Sequence, residues 1–387
     1  MSVLSMKVTQ CSLLAAILVV YAQEAFSQPI PQECSVIPAK SEQWPTFRRN
    51  NRRSATKKPG SLIGKPTLLW KVDTGDVVES SPTIVNDLVY VGTFNSKLMS
   101  IEADSGDVAW EFPVGGLLRS SPSVVDDLVY FGADDNTFYA VHAKTGKACW
   151  RFLLGGGGQQ SSPAIVDGVV YFGAFDNNVY ALDARTGEEK WAFPTRGGIL
   201  SSPAVSGGTV FIGSADGFLY ALKATSGELL WSFETGDTVF SSPTVHDGLV
   251  YFGSDDGNVR ALRAADGTLV WRFFTRGRVF ATPTFHDGVV YFGSLSKLFY
   301  AVDAKTGEEL WRADLNDVIF GSAAVTDDLA IVGSSDGVLY ALSTVDGTVA
   351  WTFEVGENVN VWSSPAVSGN NVYFGAHDGF VYAITLS

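Results

Sequence analysis

Few residues of this 387-residue chain have the types and the spacing that enzymatic chemistry requires. The candidates are four histidines and three cysteines: His142, His246, His286, His377, Cys11, Cys34 and Cys149. No spacing among the His, Cys and Asp residues matches a metal site, so we predict neither catalytic nor metal-ligating residues. His246 and His286 occupy the same turn of two successive repeats, which favours solvated turn residues. Cys149 is expected to be a small packed residue, and a disulfide between Cys34 and Cys149 remains open.

Serine recurs in one tripeptide, Ser-Ser-Pro or a variant of it. The copies begin at positions 80, 120, 161, 201, 241, 281, 321 and 363. Because the tripeptide occurs eight times, its serines are predicted to be structural rather than nucleophilic. Most aspartates lie in Asp-Gly turns or in a second recurring motif, where turn geometry explains them.

Tryptophan provides the clearest repeat in the sequence. Eight tryptophans follow one another at a spacing of 40 residues, with one step of 41: Trp70, Trp110, Trp150, Trp191, Trp231, Trp271, Trp311 and Trp351. Glycines that end a Val- and Tyr-rich segment keep the same register, at 92, 132, 173, 213, 253, 293, 333 and 375. A fixed period of about 40 residues is typical of propellers and solenoids.

Each repeat reads as four short strands joined by tight turns. In the fifth copy the strands are predicted at about 241–245, 249–254, 258–263 and 269–274, with alternating apolar and polar residues. Asp256-Gly257 and Asp266-Gly267 supply the positive φ angles of hairpin turns. The sequence therefore predicts an all-β fold, a single β-propeller with eight blades of four antiparallel strands.

The two ends of the repeat region are complementary. The last copy stops before its outer strand, whereas Trp70 has no inner strands before it. We therefore predict that residues 66–72 form the outer strand of the last blade and close the ring, which leaves no exposed sheet edge. One domain would span residues 66–387. Its eight repeat tryptophans are predicted to dock between neighbouring blades, where burial of each ring contributes several kcal/mol.

The N-terminal region differs from the repeats. Residues 1–27 combine Lys7, a twelve-residue apolar run and a small-residue cleavage site after Ser27, as a signal peptide does; an uncleaved anchor is the alternative. Residues 28–65 form an extension with a basic run: Arg48, Arg49, Arg52, Arg53, Lys57 and Lys58. This run is expected either to bind an anionic surface or to lie along the acidic body of the same protein. Cys34 lacks the lipoprotein context, so no lipid anchor is predicted.

Charge and hydropathy restrict the partners. Lys and Arg number 27 against 41 Asp and Glu, giving a net charge of −14, which argues against nucleic acid as a partner. No later stretch approaches 18 consecutive apolar residues, so no transmembrane segment is expected after the signal peptide. The protein is therefore predicted to be exported, to the periplasm or the extracellular space. The sequence leaves its oligomeric state open.

The segments Ala181–Trp191 and Ala301–Trp311 read Ala-x-Asp-x-x-Thr-Gly-x-x-x-Trp. This pattern resembles the tryptophan-docking motif of the PQQ-like propeller repeat family, and other copies match it in part. The resemblance covers residues 66–387. Trp44-Pro45-Thr46-Phe47-Arg48 is also similar to the lead-in of many such propellers, which favours a docked extension.

The resemblance implies two different functional classes. Quinoprotein alcohol dehydrogenases bind pyrroloquinoline quinone (PQQ) and calcium, with a vicinal Cys-Cys disulfide and catalytic residues on long inserted loops. BamB-type scaffolds of outer-membrane assembly act by binding alone. This chain has no adjacent cysteines, no Cys-x-x-Cys-His haem motif and no room for insertions between tryptophans that are 40 or 41 residues apart. We therefore expect no cofactor, with PQQ and calcium as the alternative.

The positions next to the predicted channel mouth vary from copy to copy, unlike the turns of the opposite face. The residues that directly precede the Ser-Ser-Pro tripeptides are Glu79, Arg119, Gln160, Leu200, Phe240, Phe280, Phe320 and Trp362. Two residues after the strand-ending glycines stand Phe94, Asp134, Phe175, Ala215, Asp255, Leu295, Ser335 and His377. Of the second set, Phe94, Phe175 and His377 join the first set as predicted partner-binding residues.

Three polar residues followed by five apolar ones around the ring indicate an amphipathic funnel. We predict a non-catalytic binding scaffold that holds a protein or peptide at this mouth. The alternatives are rings that pack down and plug the channel, a PQQ-dependent oxidoreductase, and an extracellular sensor or carbohydrate-binding module.

Overall fold

The computed structural model describes residues 64–386, and every regular element within them is a β-strand. Blades 1 to 4 contain strands β2 (Thr83–Val85), β3 (Leu88–Thr93), β4 (Lys97–Glu102), β5 (Val108–Pro113); β6 (Ser123–Val125), β7 (Leu128–Ala133), β8 (Thr137–His142), β9 (Ala148–Leu153); β10 (Ala164–Val166), β11 (Val169–Gly173), β12 (Asn178–Asp183), β13 (Glu189–Pro194); β14 (Ala204–Ser206), β15 (Thr209–Gly213), β16 (Phe218–Lys223) and β17 (Leu229–Glu234).

Blades 5 to 8 repeat the same order. Their strands are β18 (Thr244–His246), β19 (Leu249–Gly253), β20 (Asn258–Arg263), β21 (Leu269–Phe274); β22 (Thr284–His286), β23 (Val289–Gly293), β24 (Leu298–Asp303), β25 (Glu309–Asp314); β26 (Ala324–Val325), β27 (Leu329–Gly333), β28 (Val338–Ser343), β29 (Val349–Glu354); β30 (Ala366–Ser368), β31 (Asn371–Gly375), β32 (Phe380–Leu386) and β1 (Pro66–Asp73). The predicted eight-bladed propeller with four antiparallel strands per blade is confirmed.

The ring closes between the first and last strands of the described chain. Strand β1 pairs antiparallel with β32, so that Trp70 lies opposite Ala383, and the last sheet runs in the order β1-β32-β31-β30. The predicted closing strand is therefore confirmed, one residue longer than residues 66–72. The predicted signal peptide, and nearly all of the predicted extension, lie outside the described residues.

The core lies between adjacent sheets, and the repeat tryptophans are placed there. Trp191 of blade 3 packs on Gly227 of blade 4, and its Nε1 donates a hydrogen bond to the Ala224 carbonyl at 2.9 Å. Gly227 has φ +71°, and a Cβ there would lie 2.7 Å from the Trp191 ring, so only glycine permits the contact. The same arrangement recurs at seven tryptophans: Trp70, Trp110, Trp150, Trp191, Trp231, Trp271 and Trp311.

The first strand of each blade is shorter than the sequence predicts. In blade 5 it spans Thr244–His246, not residues 241–245. Pro243 lacks an N–H for the strand ladder. Ser241 Oγ accepts the Gly253 N–H within the blade at 3.1 Å, and Ser242 Oγ accepts the Ser202 N–H of the preceding blade at 2.8 Å. The Ser-Ser-Pro segment thus fastens one blade to the next instead of extending the strand.

The histidines of the opposite-face turns differ from their predicted role. The His246 ring stacks on Phe285 with ring centroids 3.6 Å apart. His286 keeps only 14% of its side chain exposed, and its Nε2 lies 3.2 Å from Asp327 Oδ1 of blade 7. The prediction of a solvated turn residue is wrong for His286, because its side chain lies towards the next blade. The turns themselves have the expected positive φ, for example +45° at Asp247 and +75° at Gly248.

Cys149, on the outer strand β9, is disulfide-bonded. Residues 64–386 contain no second cysteine, so the question of pairing with Cys34 lies outside the described residues. Within residues 64–386, no helix is long and apolar enough to cross a membrane.

Candidate functional site

Two sets of loops position the channel-mouth residues. One loop of each blade leads from the outer strand of the preceding blade into the Ser-Ser-Pro segment, and the other joins the second and third strands. Backbone hydrogen bonds tie the loops together, as from the Phe94 N–H to the Val77 carbonyl at 3.0 Å and from the Asp134 N–H to the Leu117 carbonyl at 2.9 Å. The two predicted sets of residues therefore meet at one face.

Four rings of successive blades form an unbroken arc, which we call the aromatic arc: Phe240, Phe280, Phe320 and Trp362. Neighbouring ring centroids along it lie 5.5, 5.3 and 4.2 Å apart. Trp362 Nε1 donates to Ser335 Oγ at 2.8 Å, which fixes the indole at the end of the arc. All four side chains are only half-buried, so the arc contributes an apolar surface to the mouth.

The opposite side of the mouth carries a polar arm, formed by Glu79, Arg119 and Asp134. Arg119 lies between the two carboxylates, 3.4 Å from Glu79 Oε2 and 3.3 Å from Asp134 Oδ2. Its guanidinium carbon also lies 4.6 Å from the centre of the Phe94 ring, a cation–π distance. The polar arm and Phe94 therefore hold Arg119 in one orientation.

His377 joins the two sides. Its ring meets Trp362 edge-on with centroids 4.4 Å apart, and its Nε2 lies 3.6 Å from Glu79 Oε1, beyond hydrogen-bond distance. Burial lowers the pKa of His377. Burial raises the pKa of Glu79, although Arg119 counteracts the effect. Both shifts favour the uncharged forms of the pair.

Unsatisfied buried polar atoms concentrate at this face. Among residues 64–386, five buried side-chain atoms have no hydrogen-bond partner, and three of them are Asp134 Oδ1, Asp255 Oδ1 and His377 Nε2. Each belongs to the position two residues after a strand-ending glycine. Burial raises the pKa of Asp255 to about 6, although Arg278 counteracts it. Such atoms are rare in folded proteins and frequently mark functional positions.

The mouth opens into a cavity of about 170 Å³ on the channel axis. Seven of the eight residues that precede the Ser-Ser-Pro segments line it: Glu79, Arg119, Gln160, Leu200, Phe280, Phe320 and Trp362. Phe240 does not line the cavity and instead stacks on Phe280. Phe175 packs beside Gly157 and Gly198. The structure thus brings most of the predicted set together and leaves Phe175 apart from the aromatic arc.

The floor of this cavity carries residues that sequence reasoning did not assign to the site. One hydroxyl per blade forms the serine ring: Ser81, Ser121, Ser162, Ser202, Ser242, Thr282, Ser322 and Ser364. The seven serine oxygens of the ring accept backbone N–H groups from the preceding blade; the Ser81 N–H, for example, donates to Ser121 Oγ at 2.9 Å. The available signal was the repetition of a hydroxyl at the second position of the tripeptide.

A ring of apolar side chains packs against the strand-ending glycines: Val78, Leu118, Ile199, Val239, Val279, Ile319 and Val361. Gln159 takes the eighth place and is fully buried. Its amide donates to the Gly173 carbonyl at 3.4 Å, while its Oε1 has no partner. The insertion that gives the single 41-residue step therefore replaces an apolar contact with a polar one.

A larger groove of about 910 Å³ lies between blades 3 and 4 on the opposite face. It forms beside Gly207 and Gly208, whose turn has no side chains. Its charged lining residues are Asp167 and Lys190, and the Lys190 ammonium pairs with Asp183 at 3.0 Å. In the described part of the chain, no three His, Cys, Asp or Glu side chains group as metal ligands would.

Two family models match successive parts of the propeller. Residues 64–198 match the model described as outer membrane protein assembly factor BamB, and residues 204–387 match the propeller of beta-alanine-activating enzyme. The resemblance to PQQ-like propellers is confirmed. No curated protein matches the sequence.

Solved structures extend the resemblance at the level of fold. BamB from Moraxella catarrhalis is 20% identical, with a TM-score of 0.71 over 83% of this chain and 98% of that one. Quinohemoprotein alcohol dehydrogenase from Comamonas testosteroni is 15% identical, with a TM-score of 0.79 over 93% and 84%. The computationally designed Ika8 protein is 18% identical, with a TM-score of 0.74 over 82% and 99%. At these identities the likeness concerns architecture alone.

Proposed function

We propose that this chain is a non-catalytic binding scaffold whose channel mouth holds a protein or peptide segment. The observation that carries the proposal is the aromatic arc, four half-buried rings in contact across four blades, facing a polar arm. Aromatic residues beside a polar rim provide much of the binding energy of protein interfaces. A segment with apolar side chains would pack on the arc, and the polar arm would orient it.

The unsatisfied atoms of Asp134 and His377 support a binding role for the same face. An unpaired buried polar atom costs about 1–3 kcal/mol. Because these atoms are buried from solvent, their side chains would have to turn towards a partner for its hydrogen bonds to remove that cost. The rest of the fold satisfies its polar groups well, so the concentration of such atoms at the mouth favours an interface over simple channel packing.

The lining of the mouth supports a role without PQQ and calcium. Calcium takes about 6–8 oxygen ligands, commonly including Asp and Glu carboxylates, whereas in residues 64–386 no three His, Cys, Asp or Glu side chains group as metal ligands would. The charged residues that line the mouth cavity are Glu79 and Arg119, and Arg119 pairs with Glu79. The carboxylate of the lining is therefore already engaged, which favours a binding role without this cofactor.

Export is part of the proposal. A disulfide at Cys149 suits an oxidising compartment, and the family model that matches residues 64–198 is described as an outer-membrane assembly factor. Both agree with the signal peptide predicted from the sequence. We infer a periplasmic or extracellular location.

The test is the double variant Phe280→Ala/Trp362→Ala. Immobilised wild-type protein is incubated with extract of the exported fraction, and captured proteins are cross-linked and identified by mass spectrometry. We expect the double variant to lose the partner while its melting temperature stays within a few degrees of wild type. Phe274→Ala is the matched control, because Phe274 is an aromatic residue of an outer strand with 63% exposure, away from the mouth.

Two outcomes would contradict the proposal. Unfolding of the double variant would make the arc part of the core, and capture that Phe274→Ala abolishes equally would place the partner elsewhere. A glycan array provides the remaining comparison. If the protein binds sugars in a way that depends on Trp362, and captures no protein partner, it is a carbohydrate-binding module and not a peptide-binding scaffold.

A further inference from the structure

The serine ring places hydroxyl groups at the floor of the proposed binding mouth. Each of its members is at most 8% exposed, and all of them line the cavity below the aromatic arc. The ring recurs in all eight blades, so the hydroxyls surround the channel axis. In the described chain, six of these eight hydroxyls accept a backbone hydrogen bond without donating one to the protein.

The oxygens of these hydroxyls are acceptors for backbone N–H groups. Ser202 Oγ accepts the Ser162 N–H at 2.9 Å, and Ser322 Oγ accepts the Thr282 N–H at 2.8 Å. Within residues 64–386, six of the hydroxyl hydrogens have no protein acceptor, those of Ser81, Ser121, Ser202, Ser242, Ser322 and Ser364. A hydroxyl that accepts a hydrogen bond becomes a stronger donor. Six of the eight hydroxyls around the cavity are therefore buried donors without an acceptor in the described part of the protein.

We propose that the serine ring binds a carboxylate group that enters through the channel mouth. An ionised carboxylate is an acceptor with two oxygens and about four lone-pair sites, and O–H donors bind such oxygens about twice as strongly as they bind neutral acceptors. Arg119 lines the same cavity and uses two of its five N–H groups on Glu79 and Asp134, at 3.4 and 3.3 Å. The inference rests on the proposed binding role of the mouth and names the chemistry of its ligand.

The groups above the ring indicate what the carboxylate is attached to. Phe280, Phe320 and Trp362 line the same cavity, so the adjacent part of the ligand is apolar. Two sources supply this chemistry: a small free carboxylate, or the C-terminal carboxylate of a peptide with apolar last residues. Capture of a chain terminus by an array of donors is a known mode of peptide recognition.

Fluorescence anisotropy tests the proposal with two probes on the full exported chain. Both are N-terminally fluorescein-labelled Gly-Gly-Leu-Phe, one with a free C-terminal acid and one with a C-terminal amide. We expect the acid to bind at least tenfold more tightly than the amide, and sodium acetate to displace it more effectively than sodium chloride at equal ionic strength. If the acid peptide binds no more tightly than acetate itself, the occupant is a free small carboxylate.

Two adjacent serines provide the matched variants. Ser202→Ala removes a ring hydroxyl, whereas Ser201→Ala removes a buried hydroxyl that accepts the Gly213 N–H at 3.0 Å and donates to the Ser241 carbonyl at 3.2 Å. Both lose an acceptor for one backbone N–H, and Ser201→Ala also loses a donated hydrogen bond, so its stability should fall at least as far as that of Ser202→Ala. Only Ser202→Ala should lower the ratio of the affinities for the acid and amide peptides. Ser202→Thr should keep the wild-type ratio, because it retains a hydroxyl and Thr282 already occupies a ring position.

Equal binding of acid and amide, or equal effects of Ser201→Ala and Ser202→Ala on the ratio, would overturn the proposal. So would the absence of binding by the acid peptide together with the absence of any effect of acetate on protein stability. Capture of a partner that Phe280→Ala/Trp362→Ala abolishes would still support the scaffold function in each of these cases. Failure of the carboxylate inference is thereby separated from failure of the proposed function.

Discussion

The docking tryptophans and the mouth residues both occur once per blade, yet one set is uniform and the other varies. The docking position holds tryptophan in all eight copies, and in seven of them the ring lies on a glycine of the next blade. The residue before Ser-Ser-Pro is charged, amide, aliphatic or aromatic according to the blade. A residue type that recurs in every copy therefore marks a position where packing between blades accepts only that residue type.

The physical reason lies in what each position touches. A docking tryptophan meets backbone: between seven of the eight pairs of neighbouring blades the ring lies on a glycine and its Nε1 donates to a carbonyl oxygen. A mouth residue meets the side chains of neighbouring mouth residues and the open cavity. The first environment fixes the residue type, whereas the second leaves it free for a ligand to select.

Trp191→Ala should have the largest effect, because it removes a ring that is 8% exposed together with the hydrogen bond to Ala224. Large-to-alanine changes of core aromatics cost about 3–5 kcal/mol. We expect a loss in this range by denaturant unfolding monitored by circular dichroism. Trp362→Ala is the comparison at the mouth, with an expected loss of about 1 kcal/mol. Equal losses would contradict the division between docking and mouth positions.

Gly227→Ala should cost about 2–4 kcal/mol, since it adds a clash with Trp191 to the strain of a positive φ. Gly208→Ala isolates the second effect, because Gly208 has φ +77° and open space at the Cβ position. We expect Gly208→Ala to cost about 1 kcal/mol. The difference in unfolding free energy between the two variants measures the cost of the clash with Trp191. Equal values would show that the Trp191 ring moves aside at little cost.

Asp255→Asn should stabilise the protein at neutral pH and leave it unchanged near pH 3. The pKa of Asp255 is about 6 in the folded state, raised chiefly by burial, so ionisation destabilises the fold as the pH rises from about 4 to 6. Above that range we expect a gain of about 1–2 kcal/mol for the variant. Unfolding free energies measured from pH 3 to pH 8 test the direction, and a gain that does not grow with pH would refute it.

The neighbouring carboxylate supplies a control of opposite sign. Burial alone would raise the pKa of Asp256, but hydrogen bonds from Arg260 and Asn258 outweigh it and hold the pKa well below its usual range. The ionised Asp256 therefore contributes stability that is present at neutral pH and is lost as the pH falls through its folded pKa. Asp256→Asn should destabilise at pH 7, where Asp255→Asn stabilises.

The architecture was predictable because the tryptophans, the Ser-Ser-Pro tripeptides and the strand-ending glycines recur once in each blade. Trp70 without inner strands and a last copy without an outer strand required the closing pair of β1 and β32. The first strand was predicted too long because the repeat pattern does not show that the hydroxyls of Ser241 and Ser242 bond to backbone outside the ladder. Periodicity locates a strand but does not reveal where its hydrogen bonds go.

The candidate site was predictable by register, but its contacts were not. The position directly before each Ser-Ser-Pro segment placed Glu79 and Arg119 at the same mouth. The contacts of Arg119 with Asp134 and Phe94 depend on side-chain conformations, which the sequence does not show. The serine ring was taken as structural only. The acceptor role of its oxygens agrees with that prediction. That six of its hydrogens lack an acceptor in the described chain becomes apparent only when neighbouring blades are assembled.

A titration with PQQ and Ca²⁺ should have the smallest effect. It tests whether the variable mouth residues bind the cofactor of the quinoprotein dehydrogenases. At the mouth, neighbouring arc rings contact one another, and Glu79, the carboxylate that lines the cavity, is already paired with Arg119. We expect no saturable change in absorbance and no thermal shift at micromolar quinone, with a quinoprotein dehydrogenase as the positive control. Saturable binding with dye reduction on adding alcohols would instead show that the channel mouth binds the quinone. Asp134 and Asp255 would then be the first candidates for a catalytic carboxylate.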